Sequence, residues 1–190
     1  MGLRARVATV LLSLLRPRRP VPQPAPRTPL AAPLPGGKRT NPESSLDRGV
    51  REIRLTDPGF DPSRFTGYAG MMFRDAQRAW MAQDIGSVRD RLTPEMHDAL
   101  QAQCDRLLRS RQVNRIEEIE ITAAVTEAWQ ESGRDYVTAY ISGSLVDYTI
   151  DEVRASLVDG SRTKAREVEE FWTFTRPAGL NFWMLSAIQT

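Results

Sequence analysis

The chain has 190 residues with 26 Lys and Arg against 24 Asp and Glu, yet residues 1–40 hold eight basic side chains and no acidic ones, which leaves the remainder at −6. One Cys and one His exclude an intrachain disulfide, a cysteine zinc cage and any multi-histidine metal site. A Gly-rich phosphate loop, a G-x-S-x-G nucleophile turn and H-E-x-x-H are all missing, so nucleotide-cofactor, serine-hydrolase and zinc-protease chemistries lack their signatures and no cofactor is expected.

Residues 1–16 form a short apolar and basic segment. Val7 to Leu15 is nine residues long, the length of a signal-peptide core and about half a membrane span. At 100° per residue Leu3, Val7, Val10, Leu11 and Leu14 share one sector, with Arg6 and Arg16 opposite, as an interfacial helix requires. Arg4 falls on the apolar side, and a targeting segment, a short anchor, an interfacial helix and the absence of any membrane role all remain open. The membrane readings make Arg4, Arg6, Val7, Leu11, Leu14, Arg16, Arg18 and Arg19 candidate membrane contacts, the arginines adding about 1 kcal/mol each near an anionic leaflet. Nucleic acid is not expected as a partner.

Residues 17–59 read as a Pro-rich basic linker and a polar lead-in, largely without order. Nine of the thirteen prolines fall between Pro17 and Pro42, which rules out helix or sheet interior and favours a semi-extended spacer. Residues 41 to 59 are expected as loop, apart from a short strand over Val50 to Leu55.

From residue 60 to 190 the pattern is that of a folded domain. Asp61-Pro62-Ser63 starts a helix, and Phe65, Ala69, Met72, Phe73, Ala76 and Trp80 recur at helical spacing up to about Ala82. Asp84 opens a short helix through Val88 to Leu92, and Thr93-Pro94-Glu95 caps a third that runs to about Arg111. Its stripe of Met96, Leu100, Cys104 and Leu107 makes Cys104 a buried structural thiol, and His97 falls on the surface flank without a role. The period then changes to two: Ile119, Ile121, Ala123 and Val125 alternate with Glu118, Glu120, Thr122 and Thr126. Further strands are expected over Tyr136 to Tyr148, Arg166 to Arg176 and Asn181 to Ile188. Asp151 to Ala165, with Asp159-Gly160, is the hairpin connection, and Gly143 marks a bend. Helices first and a strand meander after give an α+β fold, a curled four-stranded antiparallel sheet with about three helices on one face.

Several segments together carry a family resemblance: "QRAWMAQDIGSVRDRLTPEM" after Phe73, the acidic strand "RIEEIEIT", "DYVTAYISGSLVDY", "EEFWTFTR" and the final "NFWMLSAIQT". Their order over about 130 residues resembles the domain shared by subunit 44 of the mitochondrial inner-membrane translocase and its bacterial relatives, the Tim-44-like family. The resemblance implies a nuclear-transport-factor-2-like cone with an apolar pocket. It also implies a non-enzymatic, membrane-associated tethering adaptor linked to protein translocation or membrane protein assembly. The expected partners are anionic lipid or a membrane protein, at a bacterial inner membrane on an unspecified side, and homo-oligomerisation through the sheet is a further option. Phe73, Trp80, Trp172, Phe174 and Trp183 are candidate pocket lining, and Tyr68 and Met71 of the first helix join the candidate membrane contacts.

Two rival readings stand beside this one. In a small cone-fold enzyme, Glu170 would work among the aromatic residues of its strand face; the plainer alternative pairs Glu170 with Arg176 or a cross-strand charge. In a soluble oligomer, the sheet alone would make the contacts.

Overall fold

The computed structural model describes residues 44–179 and 182–190. The expected membrane segment 1–16, with its arginine and apolar contacts, and residues 17–43 of the linker lie outside them.

The first described element departs from expectation. Ser45–Thr56 is a helix, α1, capped by the Ser44 hydroxyl, which accepts the Asp47 N–H at 3.0 Å. A strand here would put Ile53 and Leu55 on one face, but Ile53 is buried and Leu55 exposed; Gly49, Val50 and Ile53 instead form one buried helical face. The segment's many charged residues mask this short stripe in the sequence.

Helix α2, Pro62–Ala82, follows the expected pattern and buries Phe65, Ala69, Met72, Phe73, Ala76 and Trp80. Asp61 caps it, accepting the Ser63 N–H at 2.8 Å. Phe60, just before the cap, meets Phe65 in the first turn at 6.0 Å, a hydrophobic staple that fixes the entry angle of the helix. A 3-10 helix, Ile85–Arg91, leads to α3, Pro94–Arg109, capped by Thr93. Cys104 is fully buried in α3. His97, expected at the surface, is mostly covered, its side chain 13% exposed between Arg89 and Asp98.

The four strands are β1 (Gln112–Glu131), β2 (Arg134–Asp151), β3 (Leu157–Pro177) and β4 (Met184–Gln189), an antiparallel meander in the order β1-β2-β3-β4. Register shifts at Glu117/Glu120 and Val125/Glu127 mark two bulges in β1. Each inserts one residue, so the core face steps from Ile116 to Ile119, alternates to Val125, and steps again to Ala128. Without those steps the strand would turn its apolar set outward. Gly143 of β2 pairs with Ile121 at φ +153°, where a Cβ would lie 2.0 Å from the Glu120 carbonyl oxygen. The expected bend at this glycine is a close approach of two strands.

The β2–β3 connection is shorter than expected. Asp159 and Gly160 pair with Thr149 and Tyr148 inside the ladder. Asp151 Oδ1 accepts the N–H groups of Val153 and Arg154, each at 2.9 Å, and this local cap closes the turn before Leu157. Helices cover the concave side of the sheet, and the core runs between them, giving the expected α+β cone.

Candidate functional site

A cleft of about 590 Å³ opens where the α1–α2 loop, the start of α2, the end of the 3-10 helix and the entry to β4 converge. Phe60, Phe65, Tyr68 and Trp183 form its aromatic wall. These rings are mutually braced: Phe65 stands edge-on to Trp183 at 5.1 Å and to Phe174 at 5.3 Å, and the Tyr68 hydroxyl donates to the Trp183 carbonyl oxygen at 2.7 Å. Burial pushes the Tyr68 phenol above its ordinary range, with Arg91 pulling it partly back, so the hydroxyl stays a donor. Phe182 stands at the rim, 56% exposed.

Beneath the aromatics lies a buried ionic floor. Arg176 is 1% exposed; its Nε donates to Asp135 Oδ2 at 2.9 Å, its Nη2 to Asp57 Oδ2 at 2.8 Å, and its guanidinium lies 4.3 Å from the centre of the Trp183 ring. The register explains the arrangement. Gln130, Asp135 and Arg176 face one another across β1, β2 and β3, and Gln130 Nε2 donates to the other Asp135 oxygen at 2.6 Å. Asp57 reaches in from the end of α1, held by the Gly59 N–H on its second oxygen. The floor therefore ties three strands to the helical layer.

The rim is charged but balanced. Asp61, Asp90, Arg64 and Arg91 border the cleft; Arg91 is engaged by Asp75 at 2.6 Å and Arg64 sits 3.6 Å from Asp61. The Ser63 N–H holds the Asp61 carboxyl below its usual range. Arg176 is more than matched by the carboxylates of Asp57 and Asp135, so the cleft presents no excess positive charge, and its shape and aromatic walls are what it offers a ligand. No group of three or more metal-ligating side chains occurs among the described residues.

Of the five aromatic residues expected to line a pocket, Trp183 lines this cleft. Phe73, Trp80, Trp172 and Phe174 are 0–5% exposed in the core between α2 and the sheet, with Phe73 against Trp172 at 5.3 Å. Large rings fill cores as readily as pockets, and residue type alone does not separate the two. Tyr68 belongs to the cleft, whereas Met71 points outward at 47% exposure.

Glu170 is buried, accepting the Trp172 Nε1–H at 2.8 Å, and lines neither this cleft nor the groove on the opposite sheet face described below. The expected Glu170–Arg176 pair does not form. Six residues of strand separate them by about 20 Å, so sharing a face does not bring them together.

The rest of the cleft went unmarked in the sequence except by two local signals: the aromatic residues flanking the Asp61-Pro62 helix start and the Phe182-Trp183 doublet after a turn.

No curated protein gives a significant match to the chain. Among solved structures, the crystal structure of the intermembrane space region of chloroplast protein ARC6 superposes with a TM-score of 0.50 at 12% identity, covering 68% of this chain and 95% of that one. At that identity the likeness speaks to the fold alone. A structure labelled Rd1NTF2_05 aligns at a TM-score of 0.32 and 12% identity over 64% of this chain and 95% of its own. The sequence matches the family model of the Tim44-like domain over residues 46–190, from the second residue of α1 through the last strand, and the chain thus belongs to the Tim44-like domain family.

Proposed function

We propose that this protein is a non-enzymatic, membrane-associated tethering adaptor serving protein translocation or membrane protein assembly. In this reading the aromatic cleft holds the apolar part of an amphiphilic ligand, a lipid chain or an apolar segment of a membrane protein. One observation carries it: an open cleft of about 590 Å³ with buried, mutually braced aromatic walls, a balanced polar rim and an exposed Phe182 at its mouth. No helix among the described residues is long and apolar enough to cross a membrane, so attachment in this reading falls to the basic N-terminal arm, residues 1–40, and the cleft. Family membership supports the membrane association, and the +8 arm supports an anionic bilayer at a bacterial inner membrane.

The test is flotation of the full chain on vesicles with and without anionic lipid, at low and high salt, for the wild type and for Phe182→Ser and Arg64→Ala. Both side chains are exposed, so folding should be retained, as circular dichroism would verify. Anionic lipid should raise the floated fraction, high salt should lower it, and Phe182→Ser should reduce what remains at high salt. Flotation indifferent to lipid charge, salt and both substitutions would overturn the reading. Glu170, buried against Trp172 and away from the cleft, offers little support for the rival enzyme.

A further inference from the structure

The side of the sheet facing away from the helices carries a second, chemically distinct groove. Register rows place Trp129, Tyr136 and Thr175 side by side, then Glu127, Thr138 and Thr173, then Ala124, Tyr140 and Phe171. Trp129 stacks on Tyr136 at 5.0 Å and 6°, and Tyr140 meets Phe171 at 5.0 Å. These aromatic pairs lie four residues apart on β2, about 13 Å. Between them the Thr138 and Thr173 hydroxyls meet at 3.0 Å on the floor of a groove of about 430 Å³, with Glu127 at its side and Phe171 41% exposed.

Arg134 closes the Trp129 end of the groove, its Nε donating to Thr175 Oγ1 at 3.1 Å, whereas the charge beyond Phe171 is acidic. Glu120 on β1 and Glu167 and Glu169 on β3 continue the same face, and the β2 residues between them are Ser142 and Ser144. Glu120, Glu127 and Glu167 make no ion pair with any described residue. Rings that are half-exposed, or exposed in the case of Phe171, beside carboxylates without ion pairs among the described residues suit a ligand that offers proline rings and guanidinium groups, since aromatic-lined grooves receive Pro-x-x-Pro segments.

This chain contains such a ligand. Residues 16–29 read R-P-R-R-P-V-P-Q-P-A-P-R-T-P, with Pro17-Arg18-Arg19-Pro20 and Pro26-Arg27-Thr28-Pro29 both of the Pro-x-x-Pro form. In a polyproline II helix such prolines recur on one face about 9 Å apart, within the span between the two aromatic pairs. The point of attachment also fits. The described chain begins at Ser44, five residues ahead of Gly49, which lies against the Ala128 carbonyl beside Trp129. The 16 residues from 28 to 43 would extend to about 50 Å in polyproline II. We propose that the outer groove of the sheet is a docking site for the chain's own Pro/Arg-rich segment 16–29.

A tether of this kind holds its ligand at mM effective concentration, so a site of only mM intrinsic affinity is substantially filled. The arm's arginines are then engaged by the sheet whenever no stronger anionic surface competes. This site stands apart from the aromatic cleft, and its test contains no lipid, so the two can fail separately.

The experiment uses the full chain carrying Ala32→Cys with a nitroxide on the new thiol, the native Cys104 being buried, read by amide NMR at low salt. Broadening should concentrate at Thr138, Phe171 and Thr173 and spare α3. High salt, Glu127→Lys combined with Phe171→Ser, and Arg16, Arg18 and Arg19→Glu should each restore the lost intensity; both sheet substitutions are on the solvent face. Weak, uniform broadening, or broadening unchanged by these substitutions, overturns the proposal. So does broadening seen only when labelled chains are mixed with separate isotope-labelled ones, which would make a second copy the occupant.

Discussion

Replacing Arg176 by Met keeps much of the side chain's length while removing its charge from the nearly sealed floor of the cleft. Asp57 keeps 20% side-chain exposure and can hydrate, but Asp135 has none. Removing one partner of a buried ion pair costs about 3–5 kcal/mol, chiefly because the other charge is left uncompensated. Loss of the stacked guanidinium over Trp183 acts in the same direction. For a domain with a urea m-value of about 2 kcal/mol/M, that deficit lowers the unfolding midpoint by roughly 2 M. The assay is urea denaturation followed by tryptophan fluorescence and circular dichroism, with Asp135→Asn and the double variant completing a cycle. The double variant should be more stable than Arg176→Met alone, because the stranded charge has gone. An Arg176→Met midpoint within experimental error of the wild type, or a double variant no better than the single, would refute the view of Arg176 as the charge-balancing centre of the cleft floor.

Gly49→Ala separates local from tertiary effects. Helix propensity alone predicts a gain of about 1 kcal/mol, but the new Cβ would sit 1.7 Å from the Ala128 carbonyl oxygen, and overpacking of this kind costs about 1–3 kcal/mol or more. The melting temperature should therefore fall; a rise would show that α1 does not press on β1. Gly143→Ala should lower amide exchange protection around Glu120 and Ile121 more than in α3, and uniform protection would contradict the close approach of β1 and β2. The Cys104 thiol is pushed up from 9.0 to about 11, by burial first and the Asp105 carboxylate second. Folding thus favours the protonated thiol: stability should be level below about pH 9 and decline toward pH 11, as the unfolded state ionises first. Cys104→Ala should lessen that alkaline decline and delay its onset, the remainder coming from phenols such as Tyr68 that folding also holds protonated, and alkylation of the native protein at pH 8 should be slow until denaturant is added.

Much of the architecture follows from local periodicity. The Phe65-to-Trp80 stripe with its Asp61-Pro62 start, the Thr93-Pro94 cap and the alternation from Ile119 to Val125 are each fixed by side-chain spacing within a few turns or rungs, and the structure reproduces them. Helix α1 was less legible because its buried face is only Gly49, Val50 and Ile53; its stability comes from packing on β1, which no local window contains. The Asp159-Gly160 pair illustrates the converse, a strong turn signal overridden by the Asp151 cap and continued strand pairing.

The cleft belongs to tertiary structure almost entirely. Its residues come from positions as distant as Asp57 and Trp183, and the row Gln130–Asp135–Arg176 exists only once the register of three strands is set. Alternation in the sequence placed Glu170, Trp172, Phe174 and Arg176 on one face. It carried no information on which would be sealed in the core and which would reach the mouth, because that depends on where α2 and the α1–α2 loop cover the sheet. The sequence by itself determined the elements from α2 onward, apart from the length of the β2–β3 connection, together with the basic Pro-rich arm and the family. Packing decided the cleft, since burial and long-range pairing arise only when segments far apart in the chain meet.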